Sequence, residues 1–175
     1  TATASHYLTT LAPEAWYGRT VTFTRSLTAQ SLHRRLESSV EKKAGRMYGA
    51  PGGRKLVFLV DDVSLAPIGT YGDQPPLELL RQLIEQSYLL SLDTPGDLMV
   101  FKELHVLATM LPPGGGKNDV PERLKRHFLV AGVATPTADQ VSAIFSPALQ
   151  AHFHVGSAAA AEGTAAVPHE VHAAA

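Results

Sequence analysis

No cysteine occurs in the chain, which removes disulfides and thiolate metal sites and fits a reducing, cytosolic compartment. Charge of one sign is also missing. With 15 Lys and Arg against 16 Asp and Glu, the formal net charge is −1, and nothing electrostatic steers the chain onto nucleic acid or anionic lipid. Long hydrophobic runs are absent too: Leu56 to Val60 is far short of the ~20 residues that a bilayer-spanning helix needs. The first residues lack a basic segment followed by an apolar core, so no signal peptide is read, and Thr1 stands where an initiator Met would, as in a processed or excised fragment. These absences argue against nucleic-acid and membrane partners. At 175 residues the chain is long enough for one domain with a real core.

What is present is an alternation of strand and helix signals. Thr20 to Thr24, TVTFT, alternates β-branched and aromatic residues with polar ones and predicts a strand. From Leu27 to about Lys43, Leu27, Leu32, Leu36 and Val40 recur on a polar background and predict a surface helix. After a turn at Tyr48 to Gly53, the run KLVFLVDD predicts a buried, parallel strand ending in paired acids. A loop with Gly69, Gly72 and Pro75-Pro76 leads into a helix from Leu77 to Glu85, with proline suited to its first turn. His105 to Met110 and Arg126 to Val133 supply a third and a fourth apolar run, each read as a strand. Thr137 to Phe153 predicts a last helix, with Thr137 and Gln140 spaced for a capping box. Residues 154–175 are alanine-rich and lack large side chains, so a flexible or weakly helical tail is expected. The recurrent βα pattern implies an α/β fold with a mostly parallel sheet, and in such folds ligands sit at the carboxyl ends of the strands.

Asp61 and Asp62 follow a hydrophobic strand directly, as in a Walker B motif. There the first acid orders Mg²⁺ and the second polarises the attacking water. Acids in this position also serve as helix caps or loop solvators. Pro112 to Asp119 holds three consecutive glycines before Lys117 and Asn118, which invites comparison with the phosphate-binding GxxxxGK[ST] loop. It fails that comparison, because Leu111 stands at the first glycine and Asn118 replaces the Mg-binding hydroxyl. Asn118 reads better as a residue at the end of the strand beside the acids, contacting water or a γ-phosphate; a plain turn is the alternative. Arg123 and Arg126, three apart, share a face if their segment is helical, and either could act as an arginine finger or simply be solvated. His152 and His154 have no third ligand at matching spacing and are not read as a metal site.

Read in order, TFTRSLTAQSLHRRLESSVEKKAGRMYGAPGGRK, LVFLVDD, YGDQPPLELLRQ, MLPPGGGKN and RLKRHF resemble the third AAA+ module of dynein heavy chains, especially axonemal ones. The resemblance spans Tyr7 to Phe153 and rests on joint spacing more than on any single motif. It implies a P-loop NTPase (AAA+) fold over residues 1–153, with ATP or ADP and Mg²⁺ as cofactors. In that family Asp61 is the metal-ordering acid, Asp62 the catalytic carboxylate and Asn118 the sensor. Arg126, with Arg123 as second choice, is the finger toward nucleotide on the preceding module. The implied partners are neighbouring modules of the same heavy chain, intermediate and light chains, and the microtubule through other parts of the parent chain. The implied location is the cytoskeleton, in the axoneme of a cilium or flagellum.

Departures narrow what the resemblance implies. Asp62 stands where many AAA+ proteins have Glu, which draws the carboxylate back from its water by one methylene, a distance at which positioning matters. The family's PPGGGRN is PPGGGKN here, and its TPRFLRHF is PERLKRHF. No Walker A loop is read in the chain, and the strand that leads into that loop is central in the related fold, between the strands expected at 105–110 and 126–133. The isolated 175-residue chain is therefore expected neither to fold as a stable monomer nor to hydrolyse ATP. A cooperative melt with Mg-dependent turnover is the result that overturns this. Three functions compete: a component of the motor ATPase, a ring scaffold with a degenerate site, and an unrelated α/β binding domain, which requires the ordered motifs to be coincidence.

Overall fold

The computed structural model describes residues 1–91 and 96–160, with side chains through residue 153. Residues 1–130 form one compact unit and the residues from 131 onward a second. In the first unit, helix α1 (Ala2–Thr10) precedes strand β1 (Trp16–Thr22), and helix α2 spans Ala29–Glu37. Short strands β2 (Glu41–Lys42) and β3 (Met47–Gly49) precede the long strand β4 (Lys55–Asp61). Helix α3 (Pro75–Gln86), strands β5 (Tyr88–Leu90), β6 (Leu98–Phe101) and β7 (Leu104–Ala108), and the short helix α4 (Glu122–Lys125) complete it.

Strands β1, β4 and β7 form a parallel sheet in that order, with β4 at its centre. The sequence explains the placing. Leu56 to Val60 are apolar without alternation, so both faces of β4 must be covered, and all five are buried. Leu56, Phe58 and Val60, which share one face, form a single core with Leu77, Leu80 and Leu83 of α3, Leu32 and Leu36 of α2, and Phe23. Each fully buried leucine contributes about 1.5–3 kcal/mol relative to exposure.

Helix boundaries follow from local chemistry. Thr28 and Ser31 form a reciprocal capping box that starts α2, each backbone N–H donating to the other's hydroxyl at 3.1 Å. The expected continuation of this helix to Lys43 does not occur. The Ser38 and Ser39 hydroxyls both turn back onto the Arg35 carbonyl, at 3.0 and 2.7 Å, and Glu41–Lys42 then pairs with β3. Pro75 and Pro76 occupy the first turn of α3, where a missing N–H costs no helical hydrogen bond.

A second sheet, in the order β2-β3-β6-β5, has no counterpart in the sequence reading. Its strands run from two to four residues, too short for a period-two pattern to register. Buried His33 on α2 ties the two layers, with Nε2 2.8 Å from the Leu90 carbonyl.

The strand expected at Arg126 to Val133 is not formed. Arg126 to Phe128 close the turn after α4, and Leu129 to Thr137 have no regular structure, with Leu129 99% exposed. Among the described residues β7 is the last strand on that side of the sheet, and this apolar run does not pair with its outer edge.

In the second unit, helix α5 runs from Ala138 to Ala160. Its expected capping box is present: the Thr137 N–H donates to Gln140 Oε1 at 3.0 Å, and the Gln140 N–H to Thr137 Oγ1 at 3.3 Å. Of the expected alanine-rich tail, residues 161–175 lie outside the described residues. Among the described residues no helix is long and apolar enough to cross a membrane.

Candidate functional site

The central strand delivers its two acids to the carboxyl edge of the sheet. Asp61 ends β4, and Asp62 turns the chain through the left-handed region, with φ 61° and ψ 49°, into the turn Val63–Leu65. Beside them β7 ends at Ala108 and presents Thr109. The ladder continues past both strand ends: Thr109 N–H donates to the Val60 carbonyl at 3.0 Å, and Val63 N–H to the Thr109 carbonyl at 3.0 Å.

Thr109 supports both acids through one hydroxyl. Its Oγ1 donates to Asp61 Oδ1 at 2.6 Å and accepts from the Asp62 N–H at 2.9 Å. A second hydroxyl, on the N-cap residue of α1, reaches the same carboxylate oxygen: Thr1 Oγ1 donates to Asp61 Oδ1 at 2.7 Å. Burial by itself pushes the Asp61 carboxyl up. The hydrogen bonds from Thr109 and Thr1 and the positive charge of Lys117 act against it, and the group sits below the usual carboxylate range.

Asp62 is engaged differently. Its Oδ1 accepts from the Ser64 hydroxyl at 3.1 Å, and its Oδ2 forms an ion pair with the Lys117 ammonium. Lys117 arrives on a tight turn in which the Gly114 and Lys117 backbones exchange hydrogen bonds at 3.1 and 3.0 Å. Gly114, Gly115 and Gly116 all have positive φ, so the triple glycine is a backbone requirement of this turn. Arg25 caps the turn by donating to the Gly116 carbonyl at 3.0 Å.

Asn118 returns the chain to the acids. Its N–H donates to the Ser64 carbonyl at 2.8 Å and its side-chain amide to the Ala66 carbonyl at 2.7 Å. The buried Gln74, the glutamine of the QPP signature, donates to that same carbonyl at 3.3 Å. One carbonyl thus holds the loop after the acids, the glycine turn and the start of α3 together. The strand-end position expected for Asn118 is taken by Thr109, and the Asn118 amide is committed to backbone.

The structure therefore brings Asp61, Asp62 and Asn118 into one cluster. It does not add the two arginines. Arg123 pairs with Glu78 of α3 at 2.8 Å and Arg126 with Glu85 at 3.2 Å, while Arg81 lies between those glutamates and contacts both. Thr109 and Thr1 carry no sequence pattern, because they reach the acids across 47 and 60 residues, whereas Ser64 supports Asp62 locally, two residues on. Two surface depressions lie away from the acids, one beside α3 at Pro75 and Arg81 and one at Trp16 and Arg54. The acid cluster lies at the carboxyl end of the central strand.

Acids closing a buried strand of a parallel sheet have the placing of the Walker B acid in P-loop NTPases. The description "P-loop containing dynein motor region" matches residues 1–136. The chain belongs to this dynein motor family.

Its similarity extends to heavy chains of axonemal dyneins. Over 139 residues, 79% of this chain, it is 37% identical to dynein axonemal heavy chain 8 of Mus musculus. Over 154 residues, 87% of this chain, it is 36% identical to the dynein gamma chain of the flagellar outer arm of Chlamydomonas reinhardtii. The chain spans 3% of the length of each of these relatives. For a dynein motor region the parallel sheet with its helices is the expected α/β fold, and the acid cluster lies within the matched residues.

Proposed function

We propose that this chain is part of the third AAA+ module in the motor ring of an axonemal dynein heavy chain, contributing to ATP binding and its hydrolysis or regulation. The observation that carries the reading is the convergence of the Thr109 and Thr1 hydroxyls on Asp61 at the end of the central strand. Carboxylate and hydroxyl oxygens are the hard donors that Mg²⁺ selects, so this cluster fits the ion. Asp61 and Thr1 are the residues that would hold it. When bound, Mg²⁺ supplies neutralisation of phosphate charge. In this reading Asp62 faces the attacking water, Asn118 is the sensor that holds the loop after the acids, and Arg126, ahead of Arg123, is the finger toward nucleotide on the preceding module.

The wider setting belongs to the same proposal: neighbouring modules of one heavy chain as direct partners, intermediate and light chains in the parent complex, and the microtubule through segments outside this chain. The place is the cytoskeleton of a cilium or flagellum, as the names of the relatives suggest. The test is Asp61→Asn in the full heavy chain, with Mg-dependent binding of ATP measured at this module. The expected result is a loss of at least about tenfold, ~1.4 kcal/mol. Unchanged Mg-dependent affinity sinks the reading.

A second reading, a ring scaffold with little turnover, is favoured by the state of Asp62, whose two oxygens are already engaged. Single-turnover hydrolysis in a motor carrying Asp62→Asn separates the two. A loss supports the ATPase, and no change at this module supports the scaffold.

A further inference from the structure

In the sequence Lys117 follows three glycines in a loop that fails the phosphate-binding pattern. Its place in the fold gives it another task. Asp62 Oδ1 carries the Ser64 hydroxyl at 3.1 Å and Oδ2 carries the Lys117 charge, so presenting this carboxylate to water means giving up one of them. Ser64 is fully buried and its hydroxyl also accepts from the Leu111 N–H at 3.3 Å, so it is fixed. The Lys117 side chain is the movable partner. It is a flexible four-carbon stem, 20% exposed, rising from a turn whose backbone is tied down at Gly114, at Gly116 by Arg25, and at Asn118 by Ser64 and Ala66. The backbone can stay still while the ammonium changes partner.

We propose that Lys117 is a positioning residue that acts through Asp62: it holds the carboxylate in an ion pair until the terminal phosphate of a nucleoside triphosphate takes the ammonium and releases Asp62 toward water. A terminal phosphate carries up to two negative charges and three acceptor oxygens against the single charge of a carboxylate, so it competes for the ammonium at short range. A nucleoside diphosphate lacks that group and leaves the ion pair closed. The exchange makes availability of the acid depend on which nucleotide is present. It rests on the reading of Asp61 and Asp62 as nucleotide-side acids.

The experiment is equilibrium binding of a fluorescent, non-hydrolysable ATP analogue and of fluorescent ADP to the full heavy chain, with the nucleotide sites of its other modules disabled. Asp62→Asn frees Lys117 for the triphosphate and is expected to tighten the analogue about tenfold while changing ADP affinity less than about twofold. Relief of repulsion between Asp62 and phosphate would also tighten the analogue, so the decisive comparison is made in a Lys117→Met background. There the latch predicts that Asp62→Asn no longer tightens the analogue. In a Lys117→Arg background, which keeps the charge, most of the tightening returns. Tightening that persists with Lys117→Met, or none in the original background, overturns the proposal. A wild-type chain that binds neither nucleotide at this module sinks the nucleotide reading itself and this proposal with it.

Discussion

Thr109 supports two neighbours at once, and its removal has two separable consequences. In Thr109→Val the Asp62 N–H loses its acceptor and Asp61 loses its shortest hydrogen bond. Leaving a partly buried donor unsatisfied costs about 1–3 kcal/mol, expected as faster hydrogen exchange over residues 60–63 in the heavy chain, with Thr109→Ser restoring protection. The second consequence concerns pH. Asp61 has its pKa depressed in the folded state, so its charge contributes stability that is full above the unfolded value, about pH 4, and is lost as pH falls through the folded one. Thr109→Val moves the folded value up and shrinks that contribution. Acid opening of the β4 edge, followed by exchange against pH, is expected to begin at higher pH in the variant.

At the scale of elements, the contrast is between apolar packing and exposed charge. Leu80 on α3 is 1% exposed in the core, and Leu80→Ala is expected to cost about 2–5 kcal/mol, read as accelerated exchange throughout α3. The Glu78, Arg81, Glu85, Arg123 and Arg126 network between α3 and α4 is largely solvent-facing, and Glu85→Gln is expected to shift the same measurement by less than about 1 kcal/mol. These elements also differ in how well the sequence announces them. Strand β4 and helix α3 are legible because an unbroken apolar run, and apolar spacing behind a proline pair, are signals contained within one segment. The end of α2 at Glu37 is not, since Val40 still packs on the core while Ser38 and Ser39 turn the backbone away. The four short strands of the second sheet exist only through pairing with one another.

For the whole molecule, the arginine pair is where sequence and tertiary placement part most clearly. Arg126 pairs with Glu85 of α3 at 3.2 Å and is not one of the described partners of Asp61 and Asp62. On the proposed arrangement Arg126→Ala lowers the turnover of the preceding module by roughly 10³-fold. Single-turnover hydrolysis at that module, in the full heavy chain, checks it. A normal rate there rejects Arg126 as the finger.

The sequence by itself determined the α/β class, the central buried strand and the two acids at its end, because a run such as LVFLVDD can be stable only where both faces are covered and the charged end reaches the edge. Only the tertiary structure decided how those acids are held. The partners of Asp61 and Asp62 come from Thr1, Thr109 and Lys117, on separate segments brought together by the parallel sheet and the glycine turn. It also decided that Arg126 to Val133 is not a strand: an apolar run becomes one only by pairing its backbone with a neighbour, and among the described residues this segment pairs with none, although β7 is an edge strand.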